Sequence, residues 1–229
     1  MLDYNEKLAV LVGSRIYDIN LDDSDYDWVV FGTDKTSIQR DYIQYQDSKL
    51  VQNKPGIKDI KYFEFDCIPK RLWESSPRNI NYLWTTDYAV TDDTKEFWNE
   101  LRFMREDIAL MNLSRYRELM FCYIHQLEDI VRNQSYCSNN KYLSLLIYMK
   151  NLLKRFSTGM LYEEALKQNT EELLNIRKGI YSEKEAIQIL NSIDLNTREL
   201  VLFYRKPSNY TTKNKVEDLV NSYLSTVRW

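Results

Sequence analysis

The chain reads as an α+β protein: a small mixed β-sheet with flanking helices in residues 1–90, followed by a helical half in residues 91–229. Two observations carry this expectation. Up to about residue 84, short apolar runs are separated by turn signals, and from about residue 94 onward apolar residues recur almost without interruption at three- and four-residue spacing. The first pattern suits buried strands, and the second places an apolar stripe along one side of each helix.

Lys7–Val12, Tyr26–Phe31 and Ile57–Phe65 are the expected strands, the last bounded by Lys54-Pro55-Gly56 before it and Pro69 after it. Residues 33–53 are polar, with Ile38, Tyr42, Ile43 and Tyr45 as weak anchors, and predict a helix plus loop. Lys70–Trp73 predicts a short helix and Asn79–Trp84 another. Thr94 opens a helix with Phe97, Trp98, Leu101 and Met104 on one face. Ser114 is the expected cap of a longer helix carrying Leu119, Tyr123, Leu127 and Ile130 at helical intervals. Asn139-Asn140 precede a helix over 142–156 closed by Gly159, and helices are expected over 163–178 with Gly179 as its stop, 182–193 and 213–227.

At 229 residues the chain is long enough to bury a substantial core, and 44% hydrophobic with 28% charged residues places it among globular rather than disordered proteins. A formal net charge of −3 argues against a protein that lives by coating nucleic-acid phosphates. Cys67, Cys122 and Cys137 are odd in number and lack zinc-site spacing, so a reduced, cytoplasmic setting is expected. Residues 1–12 lack the apolar run of a signal peptide, and no stretch is apolar enough for a membrane span. His125 is the one histidine, which argues against histidine-based zinc sites and against Ser-His-Asp chemistry elsewhere in the chain. His125 itself, between Tyr123 and Leu127, is expected in the core or at its boundary.

The chemistry concentrates in residues 13–32. An apolar segment ends in Gly13-Ser14, where a small turn can aim backbone N–H groups at an anion. A second apolar segment is entered through Asp25-Tyr26-Asp27, and in an extended chain alternate side chains share a face, so Asp25 and Asp27 point the same way. Carboxylates held side by side repel one another, and hard divalent cations with oxygen ligands relieve that repulsion. A third carboxylate is expected on the next strand, where Asp59 shares a face with Lys61 and Phe63 while Glu64 and Asp66 lie on the other. The period of two does not decide which face looks toward Asp25 and Asp27.

Gly13-Ser14, Asp25-Tyr26-Asp27 and Asp59-Ile60-Lys61 together resemble the nucleotidyltransferase superfamily typified by DNA polymerase β, the aminoglycoside nucleotidyltransferases and the small bacterial nucleotidyltransferases of toxin–antitoxin pairs. More narrowly, Gly13–Tyr17 and Asp23–Asp27 are similar to the Gly-Ser-Arg-x-Tyr-Gly and Asp-Ser-Asp-Tyr-Asp runs of predicted nucleotidyltransferases of bacteria and phages. The likeness continues loosely through residues 76–84, Lys141, Gly159 and Ile176–Gly179. Asp18 stands where that family has glycine, and Asn81 where it has glutamate.

The resemblance implies a catalytic core over residues 1–90 and a helical domain over 91–229 that closes the cleft. It implies two magnesium ions, with manganese as a substitute, held by Asp25, Asp27 and Asp59, and a nucleoside triphosphate such as ATP as substrate. Asp59 completes the site of the catalytic ion and is placed to accept a proton. Gly13, Ser14, Arg15, Ser24 and Lys141 form the implied nucleotide-binding set. The implied reaction is transfer of a nucleoside monophosphate to a hydroxyl of a tRNA or other RNA end, a partner protein or a small molecule. Alternative readings are a nucleotide-binding regulator without turnover and an antitoxin-like protein that acts by binding a partner. Asp22 and Asp23 read as solvated loop residues, and Arg177, Lys178 and the basic pairs Lys70-Arg71, Lys154-Arg155 and Arg205-Lys206 as solvated faces. Arg15 also has Asp22 and Asp23 as possible ion-pair partners.

Overall fold

The computed structural model describes residues 4–34, 43–45, 48–56, 58–73, 77–110, 113–133, 136–193 and 209–227. In chain order these form β1 (Tyr4–Val12), a 3-10 turn (Gly13–Tyr17), β2 (Tyr26–Asp34), β3 (Ile43–Tyr45) and β4 (Lys58–Glu64). Helices α1 (Ile68–Trp73) and α2 (Pro77–Ile80) precede the last strand, β5 (Tyr88–Val90). Then come α3 (Lys95–Phe103), α4 (Arg105–Leu110), α5 (Leu113–Asn133), α6 (Tyr136–Ser157), α7 (Tyr162–Leu166), α8 (Thr170–Arg177), α9 (Glu183–Ser192) and α10 (Asn209–Val227). The protein is α+β. Its residues fall into two compact units, one of residues 1–16, 24–112 and 208–229, the other of residues 17–23 and 113–207.

The first unit is built on a five-stranded mixed sheet in the order β3-β4-β2-β1-β5, in which only β2 and β4 run parallel. Both faces of its central strands are buried, which is why those strands read as continuous apolar runs. Leu8, Val10, Val29, Phe31 and Phe63 point to one side and pack with Phe97, Trp98 and Leu101 of α3 and with Val216, Val220, Tyr223 and Leu224 of α10. Ala9, Leu11, Trp28, Val30, Ile60 and Tyr62 point to the other, around Val51. Alternation along each strand has thus become two separate cores.

Polar contacts tie loops to this sheet. The Glu6 carboxylate accepts hydrogen bonds from Ser48 Oγ at 2.8 Å, the Leu50 amide at 2.9 Å and the Tyr62 hydroxyl at 2.9 Å, fastening the turn at 48–50 to β1. A bulge between Glu6 and Leu8 follows, and the buried Lys7 reaches out of it to pair with Asp93. Burial alone would push the Asp93 carboxyl up; hydrogen bonds from Lys7, Thr91 and Thr94, with the Lys7 charge, outweigh it and hold the carboxyl below its ordinary value. A carboxyl lowered on folding stabilises above the unfolded pKa, about 4 for aspartate, and that contribution is lost as pH falls through the folded value. Acid unfolding should therefore show a stability loss below about pH 4 that Asp93→Asn reduces, and an unchanged acid limb in that variant would count against the pair. Tyr223 of α10 meets Thr94 at 2.6 Å between hydroxyl oxygens, and burial pushes its phenol up to about 12.

The second unit is helical. Leu143, Leu146, Ile147, Leu152, Leu153 and Phe156 of α6 are buried, as are Tyr162 of α7, Leu173 and Ile176 of α8 and Ala186 of α9. The single helix expected over 163–178 is two. The break is held by Gln168, which donates to the Tyr148 carbonyl at 3.0 Å, and by Asn169, whose side chain caps α8 by accepting from the Glu171 amide. Gly159 and Gly179 have φ of +98° and +74°, left-handed ends that suit glycine after α6 and α8. Ser182 and Glu185 form a capping box on α9.

Two strands depart from the sequence expectation. Residues 43–45 pair antiparallel with β4 rather than extending a helix, and β5 pairs with β1, each supplying hydrogen bonds to a strand that would otherwise be a bare edge. Residues 35–42, Arg205, Lys206 and the side chains of Ser114, Leu119, Tyr123 and Asn139 lie outside the described residues. Cys67 and Cys122 are free thiols, with burial pushing Cys67 up to about 12, and among the described residues no helix is long and apolar enough to cross a membrane.

Candidate active site

At one end of the sheet β1 leaves while β2 and β4 enter, and the register of these strands places the acidic residues. Asp27 lies opposite Val12 of β1 on one side and opposite Asp59 of β4 on the other. Parallel partners share a face and sit one strand spacing apart, about 4.8 Å. The face is the one that carries Val29, Phe31 and Phe63 into the larger core; Asp27 ends the buried row of Val29 and Phe31, and on β4 the half-buried Lys61 stands between Asp59 and Phe63. Both are half-buried. Glu64 is registered with Gly32, five residues farther along, or about 17 Å at strand rise, and Asp66 follows it. Of the three candidates for a third carboxylate, the register brings Asp59 beside Asp27.

Gly13 begins the 3-10 turn with φ +75°. A Cβ built on it would fall 2.0 Å from Asp27 Oδ2 and 2.8 Å from Asp27 Cγ. The turn therefore lays bare backbone against the Asp27 carboxylate, an approach that only glycine permits. Ser14 and Arg15 follow, both half-buried.

Arg15 turns toward the acidic loop. Its Nε donates to the Asp25 carbonyl at 3.2 Å, its Nη2 donates to the Ser24 carbonyl, and its guanidinium carbon lies 3.6 Å from the centre of the Tyr26 ring. Ser24 thus meets Arg15 through its backbone. Asp25 is exposed, one residue ahead of β2. Asp22 and Asp23 are also exposed, as expected of solvated loop residues. Tyr26 packs against Gly56, a contact not anticipated from the sequence, where Lys54-Pro55-Gly56 signalled only the start of a strand.

Residues 17–23 belong to the second unit, where Ile19 is buried and Tyr17 stacks 4.8 Å from Tyr148. Asp18 has φ +54°, the left-handed region where glycine is at ease and aspartate is strained. Asp18→Gly should stabilise the protein by roughly 0.5–1 kcal/mol in chemical denaturation, the strain relieved outweighing the added freedom of the unfolded chain. A destabilised variant would mean that the Asp18 side chain contributes more than its backbone costs. Burial lowers the Arg177 pKa while the Asp23 charge raises it. Lys141 and Lys178 are exposed in this unit. His125 is exposed, not core, with Nδ1 3.2 Å from Glu128 Oε2; it sits on the solvent side of α5 while Ile124 and Leu127 point inward.

Chemically, the sheet end offers an all-oxygen donor set beside a backbone turn, suited to hard cations such as magnesium, manganese or calcium. Among the described residues no three His, Cys, Asp or Glu side chains already form a metal-holding group. The set consists of a registered pair, Asp27 and Asp59, with Asp25 on the loop that leads into it. No family model matches the chain, and no curated protein matches it.

Proposed function

We propose that this protein transfers a nucleoside monophosphate from a nucleoside triphosphate to an acceptor hydroxyl, releasing pyrophosphate. The observation that carries the reading is the parallel register of Asp27 with Asp59 beside the glycine turn that touches Asp27. Asp25, Asp27 and Asp59 would hold magnesium or manganese. Ions held by these carboxylates would supply charge to neutralise the triphosphate and would lower the pKa of the attacking hydroxyl. The backbone of Gly13-Ser14 and the Ser14 hydroxyl bind the outer phosphates, leaving the α-phosphate facing the carboxylates for in-line attack. Asp59 accepts the proton of the acceptor hydroxyl. The free thiols of Cys67 and Cys122 accord with a cytoplasmic setting.

The acceptor belongs to one of three classes, an RNA or tRNA end, a protein hydroxyl or a small molecule. Incubation with nucleoside triphosphates labelled at the α- or γ-phosphate, one base at a time, with magnesium and tRNA or lysate, tests the reading and sorts the acceptor. Label from the α position alone should appear on an acceptor, with pyrophosphate released. Transfer of γ-label would overturn the mechanism. Tight triphosphate binding with no pyrophosphate would replace it with a nucleotide-binding regulator. A stable co-purifying partner whose response survives Asp25→Ala would point to a partner-binding protein.

A further inference from the structure

Three segments around the candidate carboxylates meet at one aromatic ring. Tyr26 is the first residue of β2 and stands between Asp25 and Asp27. Arg15, from the turn after β1, lies over its face at 3.6 Å and binds the carbonyls of Ser24 and Asp25. Gly56 lies against the ring's edge: a Cβ there would fall 2.4 Å from Cε2 and 2.5 Å from Cδ2. Gly56 has φ +82° and precedes Asp59 by three residues. The contact therefore joins the glycine turn, the start of β2 and the approach to β4.

We infer that Arg15 and Gly56 clamp Tyr26, and that this clamp, rather than a phosphate contact by Arg15, holds Asp25 and Asp27 at a set distance from Asp59. The inference deepens the proposed function, on whose carboxylate site it rests. Three like charges at one sheet end push their strands and loops apart, and a site of fixed geometry needs surrounding groups that resist this. Tyr26 and Asp27 point to opposite faces of β2, so the ring anchors the strand from behind while the carboxylate faces the core side. A guanidinium can stack on the ring with its plane and donate to two carbonyls with its fork, whereas an ammonium cannot do both. Arg15 and Tyr26 are positioning residues.

Arg15→Lys, Tyr26→Leu and Tyr26→Phe test this. Amide hydrogen exchange of the metal-free protein at residues 24–28 and 58–60 should speed up about tenfold or more in Arg15→Lys and Tyr26→Leu. Manganese affinity, read by electron paramagnetic resonance, should fall about tenfold in both, and kcat should fall while KM for the triphosphate stays within about twofold. Tyr26→Phe keeps the ring and should resemble the parent protein in every readout. Unchanged exchange in Arg15→Lys and Tyr26→Leu would overturn the clamp, as would equal losses in Tyr26→Phe and Tyr26→Leu. A rise in KM alone in Arg15→Lys would make Arg15 a phosphate contact instead. If Tyr26→Leu fails to fold, Arg15→Lys and Tyr26→Phe decide. Altered exchange in a protein whose parent neither binds manganese nor transfers label would leave the clamp standing and remove the nucleotidyl-transfer reading.

Discussion

Gly13→Ala should cost roughly 2–5 kcal/mol of stability and should disable the candidate site at the same time. Forcing a side chain into the left-handed region costs about 1–2 kcal/mol, and here φ is +75°. The added methyl also meets Asp27 Oδ2 at 2.0 Å, with Asp27 Cβ at 3.0 Å, so rotating the carboxylate away does not clear the contact. Either the turn or the start of β2 must shift, and overpacking of this kind typically costs roughly 1–3 kcal/mol more. Chemical denaturation measures the stability, and manganese binding the site. A variant within about 0.5 kcal/mol of the parent, the ordinary range for a surface change, with unaltered manganese affinity would show that the close approach is not required.

Asp27→Asn separates function from stability in opposite directions. The proposed nucleotidyl transfer should fall by about three orders of magnitude, equivalent to about 4 kcal/mol of transition-state stabilisation. The unliganded protein should become more stable, by a few tenths to about 1 kcal/mol, because like charges directly across a pair of strands are destabilising and Asp27 faces Asp59 in register. Asp59→Asn should show the same pair of signs. Retained transfer would remove Asp27 from the mechanism, and a stability loss above about 1 kcal/mol would make it a structural hub instead.

Patterning along the chain accounts for much of this architecture. The continuous apolar runs at 8–12 and 28–31 became central strands buried on both faces, and the three- and four-residue spacing after residue 94 became helices. The helix over 182–193 was legible from its spacing, and the structure adds the local capping box of Ser182 and Glu185 at its start. β5 was not, since Tyr88–Val90 is three residues long and its reason for being extended is the edge of β1. The break at 167–169 escaped notice too, because it depends on a hydrogen bond to Tyr148 twenty residues away. His125 carried no local sign of which side of α5 it would occupy.

Local chemistry was enough to mark Gly13-Ser14 and Asp25-Tyr26-Asp27, since a glycine turn and alternating carboxylates declare themselves within a few neighbouring residues. The period of one strand did not separate Asp59 from Glu64 and Asp66; what sets Asp59 beside Asp27 is the pairing of β2 with β4, which joins residues 32 apart. The same holds for Tyr26 against Gly56 and for α10, whose Tyr223 reaches Thr94 across 129 residues. Periodicity records which way a side chain faces along its own element; what it faces is settled only when distant segments pack.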